Sequence, residues 1–266
     1  MPVATNDDVE IRYEVSGGAT GREEAVVFCT DVGLGPWSVS WQHGALAGPY
    51  TVITPETRGI GRSDAPPGPY SVESLAADLD AVIRDAGVRT VHVVGYGLGG
   101  MVAFAYAERS NRPVSLTAIG SAAIGEAYDP DPLRTDPSDS TVVRASTERL
   151  LPSAFRAAHP EAIDRIVQWR VDEDAGGAMF SAQRDAIRAF DRSERLHEIT
   201  TPTLVVHGRK DAICPISAGE WLASALPRGE LHPIDDAGHL VGIEASAAVN
   251  DALVEWIAEH GTDPLA

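Results

Sequence analysis

The chain has 266 residues, of which 44% are hydrophobic and 23% charged, a composition typical of a globular protein with a full-sized core. Its formal net charge of −18 excludes nucleic acid and anionic membranes as expected partners, because both would repel so acidic a surface. The chain has two cysteines, no signal-like segment after Met1 and no apolar run of transmembrane length, which together predict a cytoplasmic protein.

The amino-terminal part of the chain predicts three strands. Val9–Val15 alternates apolar and polar side chains, the pattern of a half-exposed strand, and we expect it at an edge of the sheet. Ala25–Cys29 is continuously apolar, as in a strand covered on both faces, and Tyr50–Thr54 predicts a further buried strand. A glycine-rich loop at 30–36 and a polar turn segment at 58–64 follow these two strands.

The central segment predicts a strand, a sharp turn and a helix. An apolar run at 91–94 leads into the glycine cluster 95–100, and a helix-forming run at 101–107 follows it. Ser71 is the predicted N-cap of the crossover helix that precedes this strand. The segment has the context of the nucleophile elbow, G-x-S-x-G, in which a serine is held at the top of a parallel sheet. Here Gly97 occupies the serine position.

Strands and helices alternate up to about residue 124, which favours a mostly parallel sheet with helices on both faces. The alternation stops in segment 125–196, where Asp-Pro turns precede several amphipathic helical stretches. We interpret this segment as a helical cap inserted over the carboxyl edge of the sheet, with an α/β core formed by residues 1–124 and 197–266. Further strands are predicted at 114–119, 203–207 and 231–234, and a closing helix at 247–257.

Two loops near the carboxyl terminus each follow a predicted strand, and they carry Asp211 and His239. The order elbow, acid, histidine is that of an α/β-hydrolase triad. Over nearly its whole length the chain resembles the α/β-hydrolase superfamily, and within it the bacterial enol-lactonase and carboxylesterase group. The segments that carry the resemblance are 58–64, 95–100, 208–211 and 238–239.

The resemblance implies an α/β-hydrolase fold with an eight-stranded sheet, and a dyad in which Asp211 orients His239 as the general base. It also implies that the backbone amides of Val32 and Leu98 converge as oxyanion donors. Further candidate residues are expected to border the substrate pocket. Two of them are tryptophans, Trp37 and Trp169, whose presence is explained more simply by packing. The oxyanion and substrate-binding candidates are Val32, Leu98, Thr30, Tyr96, Trp37 and Trp169.

Two departures from the family pattern govern the functional interpretation. Gly97 has no hydroxyl, so a covalent serine intermediate cannot form. Thr30 and Asp31 stand where these enzymes usually carry His-Gly, and a carboxylate at Asp31 would oppose a developing oxyanion. Asp31 is therefore a candidate second acid/base beside His239.

Three functional hypotheses stay open. The first is a non-covalent acid–base enzyme, a lyase, cyclase, isomerase or catalyst of direct water attack, acting on a small apolar carbonyl compound. The second is a non-catalytic ligand-binding or interaction protein, for which the N-myc downstream-regulated family gives a precedent on this fold. The third is an ester or lactone hydrolase with a serine-to-glycine knockout, although alanine is the usual choice and Thr30–Asp31 is altered as well.

The sequence predicts no cofactor and no metal. Segment 95–100 lacks the strand and acidic residue that accompany a dinucleotide-binding G-x-G-x-x-G, and no histidine pair has zinc-binding spacing. The expected partner is a small molecule, and the sequence leaves the oligomeric state open.

Overall fold

A computed structural model describes residues 1–18 and 24–261, and it confirms the predicted α/β-hydrolase architecture, a mostly parallel eight-stranded sheet with helices on both faces. The strands are β1 (Val3–Asn6), β2 (Val9–Gly17), β3 (Glu24–Cys29), β4 (Thr51–Pro55), β5 (Thr90–Tyr96), β6 (Pro113–Ile119), β7 (Thr203–Gly208) and β8 (Gly229–Ile234). The α-helices are α1 (Ser40–Leu46), α2 (Val72–Asp85), α3 (Leu98–Ala107), α4 (Ser140–Leu150), α5 (Ser153–Ala158), α6 (Pro160–Glu173), α7 (Gly177–Arg188), α8 (Ile216–Ala225), α9 (Val241–Glu244) and α10 (Ser246–His260).

The strands are arranged in the order β1-β2-β4-β3-β5-β6-β7-β8. The β1–β2 and β2–β4 pairs are antiparallel, and the other neighbours are parallel. The prediction that Val9–Val15 forms an edge strand is wrong, because β1 pairs outside β2, with Val3 opposite Arg12. Four residues are too few for an alternating pattern to be recognised, and this is why β1 was not predicted.

The central strands follow from their apolar sequences. Every residue of β3 is buried, and β5 is buried from Val91 to Tyr96, because both strands lie between neighbours within the sheet and under helices. The predicted N-cap of α2 is confirmed, since the Ser71 hydroxyl accepts a hydrogen bond from the Ser74 amide at 3.1 Å. The fold therefore holds the loops after β3 and β5 side by side at one edge of the sheet.

The chain between β6 and β7 contains helices α4 to α7. This is the segment expected to form the cap, and its limits at residues 125 and 196 stay a prediction. Within the described ranges, no helix is both long enough and apolar enough to cross a membrane.

A buried ion pair fixes helix α6 against the loop that follows β3. Arg170 is fully buried, and its Nε donates to Asp174 Oδ2 at 2.7 Å. The other oxygen of Asp174 accepts hydrogen bonds from Trp37 Nε1 at 2.7 Å and from the Gly35 amide at 3.1 Å. Asp174 therefore joins α6 to the loop that continues from Asp31.

We predict that Asp174→Asn destabilises the protein by about 3–5 kcal/mol, because it leaves the buried Arg170 guanidinium without its counter-ion. Urea denaturation measures this loss. Asp172→Asn is the matched control, since Asp172 lies two residues away on the exposed side and accepts only from Gln168 among the described contacts. A loss no larger than that of the control would show that the ion pair does not hold α6 against the loop after β3.

Candidate active site

The elbow has the predicted strand, turn and helix. β5 ends at Tyr96, α3 begins at Leu98, and Gly97 between them has φ 48° and ψ −112°. A residue with a Cβ is strained in this region by about 1–3 kcal/mol, whereas glycine adopts it readily. The backbone thus keeps the sharp turn that presents a side chain, although Gly97 has none.

The space beside Gly97 is occupied by the carboxylate of Asp31. A Cβ atom built on Gly97 would overlap Oδ1, Cγ and Oδ2 of Asp31 far inside van der Waals contact. Asp31 follows β3, which pairs in parallel with β5, so the two loops leave the sheet next to each other. The loop after β3 therefore places an anionic oxygen where a serine side chain would begin.

The two predicted oxyanion donors converge on this same carboxylate. Asp31 Oδ1 accepts hydrogen bonds from the Val32 amide at 2.6 Å and from the Leu98 amide at 2.9 Å. The anion held by the amide pair in this structure is thus Asp31 itself, which is only 2% exposed. The sequence predicts that a carboxylate at Asp31 would oppose an oxyanion, and in the structure this carboxylate binds the two amides itself.

Asp211 and His239 come together as predicted. Asp211, after β7, lies with its Oδ2 2.8 Å from His239 Nδ1, and its Oδ1 accepts from the Ile213 and Cys214 amides at 2.8 and 2.9 Å. His239, after β8, places Nε2 2.9 Å from Asp31 Oδ2. The imidazole is therefore held between two carboxylates.

These two carboxylates determine the charge of His239. Burial disfavours the imidazolium, but Asp211 and Asp31 outweigh burial and raise the pKa of His239 to about 10. The same imidazolium lowers the pKa of Asp211, although burial opposes this effect. With a pKa of about 10, His239 is expected to be protonated near neutral pH and to donate from both ring nitrogens.

Asp31, Asp211 and His239 form one hydrogen-bonded cluster. We predict that the stability contributed by this cluster declines at alkaline pH. A histidine in the unfolded chain has its ordinary pKa of 6.5, so the stabilisation is fully present below that pH and is lost as the pH rises towards about 10. Urea denaturation over this range should show the free energy of unfolding falling faster for the wild type than for His239→Gln, which has no imidazolium. Parallel curves for the two proteins would contradict the assignment.

Tyr128 is a member of the cluster that the sequence did not predict. Its hydroxyl donates to Asp31 Oδ2 at 2.6 Å and lies 3.1 Å from His239 Nε2, and the residue is 4% exposed. Burial and the neighbouring Asp31 raise the pKa of Tyr128 well above its ordinary value, so the phenol stays neutral. Tyr128 follows a short 3-10 helix, Gly125–Ala127, in a turn-rich segment that carries no catalytic pattern.

Of the other candidates, Tyr96 contacts the cluster and Thr30 precedes Asp31 in the chain, whereas the two tryptophans contact other residues. Tyr96 supports the His239 loop, since its hydroxyl donates to the His239 carbonyl oxygen at 2.7 Å. Thr30 is buried, and its hydroxyl has no hydrogen-bond partner among the described residues. Trp37 donates to Asp174, and Trp169 packs edge-on against Trp41 with ring centroids 6.0 Å apart. These contacts of the two tryptophans are with Asp174 and Trp41, and none of them is with the cluster.

Comparisons with known proteins identify the family of the chain. Residues 25–246 match the family model of the α/β hydrolase fold. A Variovorax paradoxus protein provisionally named carbamate hydrolase RutD is 32% identical over 260 residues, covering 93% of this chain and 96% of its own. The 3-oxoadipate enol-lactonase 2 of Acinetobacter baylyi is 25% identical over 94% of this chain and 93% of its own. The crystal structure of the enol-lactonase from Burkholderia xenovorans LB400 superposes with a TM-score of 0.85 at 23% identity, covering 97% of this chain and 100% of that chain. The chain belongs to the α/β-hydrolase family.

Proposed function

We propose that this protein is a cofactor-independent enzyme that performs non-covalent acid–base chemistry on a small apolar carbonyl compound. One observation carries the proposal: Asp31 Oδ2 is in direct contact with two acidic donors, Tyr128 Oη at 2.6 Å and His239 Nε2 at 2.9 Å. A carboxylate and a protonated imidazole that touch each other form an acid–base pair without any serine.

In this proposal Asp31 is the base and His239 is the acid. The family resemblance implies the opposite role for His239, but a histidine with a pKa of about 10 has no free lone pair near neutral pH. Asp31 is anchored through Oδ1 by the Val32 and Leu98 amides, which leaves Oδ2 as the reacting oxygen. The two amides fix the position of the carboxylate.

The spacing of base and acid suits proton abstraction next to a carbonyl group. The carbon that loses the proton and the carbonyl oxygen that gains negative charge are separated by one atom, so adjacent protein groups can serve both. Asp31 Oδ2 would take the α proton, while His239 and Tyr128 would donate to the enolate oxygen. An enolate formed in this way leads to isomerisation, elimination or cyclisation.

Direct attack by water is the other reaction within the proposal. A water molecule that displaces the His239–Asp31 contact would be deprotonated by Asp31 and would attack a carbonyl polarised by His239. The relatives named as a carbamate hydrolase and an enol-lactonase support a carbonyl compound as substrate in both versions. Asp31, Tyr128 and His239 are each less than 5% exposed. The residues that bury them therefore have to move before a substrate reaches them.

The test is solvent exchange with small carbonyl compounds. Cyclohexanone, 2-heptanone and δ-valerolactone are incubated with the protein in D2O, and the α protons are followed by 1H NMR. We expect deuterium incorporation, or opening of the lactone, that is lost in His239→Gln. Turnover that persists in His239→Gln would overturn the role of the cluster.

A non-catalytic role is the second candidate, and one observation favours it. The Asp31 carboxylate has four hydrogen-bond donors, two on each oxygen, and so forms a closed ionic cluster. If the protein binds ligands without catalysis, a ligand would raise the melting temperature of the protein without being consumed. Turnover of any compound by the wild type but not by His239→Gln would exclude this candidate.

A further inference from the structure

His207 is a second buried histidine beside Asp211, and the proposed reaction does not use it. It belongs to β7, a strand in which every residue is buried, and its own side chain is fully buried. Its Nε2 lies 2.7 Å from the Cys214 carbonyl oxygen and 3.5 Å from Asp211 Oδ2. The ring therefore lies against the turn that carries the acid of the cluster.

The surroundings of His207 determine its protonation state. Burial lowers the pKa of His207, and the charge of His239 lowers it further. The Cys214 carbonyl, Asp211 and Glu220 act in the opposite direction, but burial prevails. His207 is therefore expected to be neutral near neutral pH and to carry a single N–H. Because a carbonyl oxygen can only accept, this hydrogen is assigned to Nε2, which donates to Cys214.

The other ring nitrogen agrees with this tautomer. Nδ1 of His207 is buried and has no hydrogen-bond partner among the described residues. An N–H at that position would be a buried donor without an acceptor, which folded proteins rarely contain. Nδ1 faces Gly219 of α8, where an added Cβ would overlap the ring. The missing side chain at Gly219 thus leaves room for the ring in this orientation.

The ring is connected to the acid of the cluster through Cys214. The Cys214 carbonyl accepts from His207, and the Cys214 amide donates to Asp211 Oδ1 at 2.9 Å. The second oxygen of Asp211 lies 2.8 Å from His239 Nδ1. A continuous series of hydrogen bonds therefore leads from β7 through the turn to the imidazole of His239.

We propose that His207 is a positioning residue of the acid–base site, which orients Asp211 by holding the Cys214 carbonyl. Without this hydrogen bond the buried carbonyl would lose its side-chain donor, and the turn would move to regain one. Asp211 would then turn away from His239 and would stabilise the imidazolium less. The catalytic meaning of this inference rests on the proposed function, but the charge of His239 reports on it without any turnover.

The test is the pKa of His239, measured by 15N NMR of the full chain as a function of pH. His207→Phe keeps a ring of similar shape but has no N–H, whereas His207→Gln loses the ring and keeps an N–H donor in the position of Nε2. We expect the pKa of His239 to fall by about 1 or more in His207→Phe and to stay at the wild-type value in His207→Gln. Because His207 is neutral, neither variant removes a charge, and the fall therefore reports a displacement of Asp211.

His92→Phe is the matched control. His92 is a buried histidine of β5 whose Nδ1 lies 2.7 Å from Ser115 Oγ, and none of its described contacts is with the cluster. This variant should leave the pKa of His239 unchanged. Should His207→Phe fail to fold, Gly219→Ala takes its place, because the added methyl group would displace the ring of His207. The same fall in the pKa of His239 is expected.

An unchanged pKa of His239 in His207→Phe, or in Gly219→Ala where it is used instead, would overturn the proposal. An equal fall in His207→Gln, or a fall in His207→Gln alone, would also overturn it, because the shape of the ring and not its N–H would then hold the turn. A fall of the same size in His92→Phe would have the same consequence.

The proposed function is tested separately, by α-proton exchange in the wild type. If that exchange is absent, the proposed function fails, while the comparison of His239 pKa values still decides the role of His207.

Discussion

Asp31→Asn is expected to lower the rate of α-proton exchange by about 10²–10⁴-fold, the usual contribution of a general base. Asparagine keeps the size of the side chain and one oxygen for the Val32 and Leu98 amides, but it cannot accept a proton from substrate. The comparison of initial exchange rates between this variant and the wild type measures the effect. Asp236→Asn, an exposed partner of Lys210, is the control and should retain full activity.

Asp31→Asn also distinguishes the assignment of Asp31 as the base from the assignment of His239 as the base. If Asp31 is the base, Asp31→Asn removes exchange even though the His239–Asp211 pair is intact. If His239 were the base, removal of Asp31 would lower the pKa of the imidazole and would maintain or increase its activity at neutral pH. Undiminished exchange in Asp31→Asn would therefore reverse the proposed roles.

Gly97→Ser is expected to lower stability and to leave ester hydrolysis at background. The backbone conformation of Gly97 costs a residue with a Cβ about 1–3 kcal/mol, and the new Cβ would overlap the Asp31 carboxylate as well. Asp31 would have to leave the amide pair, which breaks its contact with His239. Urea denaturation measures the stability loss, and hydrolysis of p-nitrophenyl acetate measures the activity.

A double variant provides the matched comparison for this prediction. Asp31→Gly combined with Gly97→Ser removes the overlap and frees the Val32 and Leu98 amides, and so restores the elements that an acyl-serine mechanism needs. We expect a burst of p-nitrophenol from the double variant and none from Gly97→Ser. Hydrolysis by Gly97→Ser that is well above background and as fast as that of the double variant would support the hypothesis that Gly97 is a simple knockout of an esterase.

Much of the scaffold follows from local sequence. The apolar runs of β3 and β5, the glycine turn at Gly97 and the N-cap at Ser71 each determine a local conformation, and the structure has all of them. Asp211 and His239 could be placed together because each follows a strand that ends at the same sheet edge. The edge strand β1 was not predicted because it is short and gains its place only by pairing with β2.

The properties of the cluster depend on contacts that the sequence does not show. Asp31 meets the Leu98 amide across 67 positions of the chain, and Tyr128 meets Asp31 across 97. The sequence indicates that a carboxylate at Asp31 conflicts with an oxyanion. It does not indicate that this carboxylate takes the place of the serine side chain that is missing at Gly97. The charge of His239 follows only from the two carboxylates on either side of it.

15N NMR of the His239 ring near neutral pH measures the protonation state on which the proposed roles of Asp31 and His239 depend. We predict an imidazolium with protons on both nitrogens, which persists well above pH 6.5 in the wild type and is lost at lower pH in Asp31→Asn. A neutral His239 tautomer in the wild type at neutral pH would contradict these roles, because His239 would then be able to act as the base.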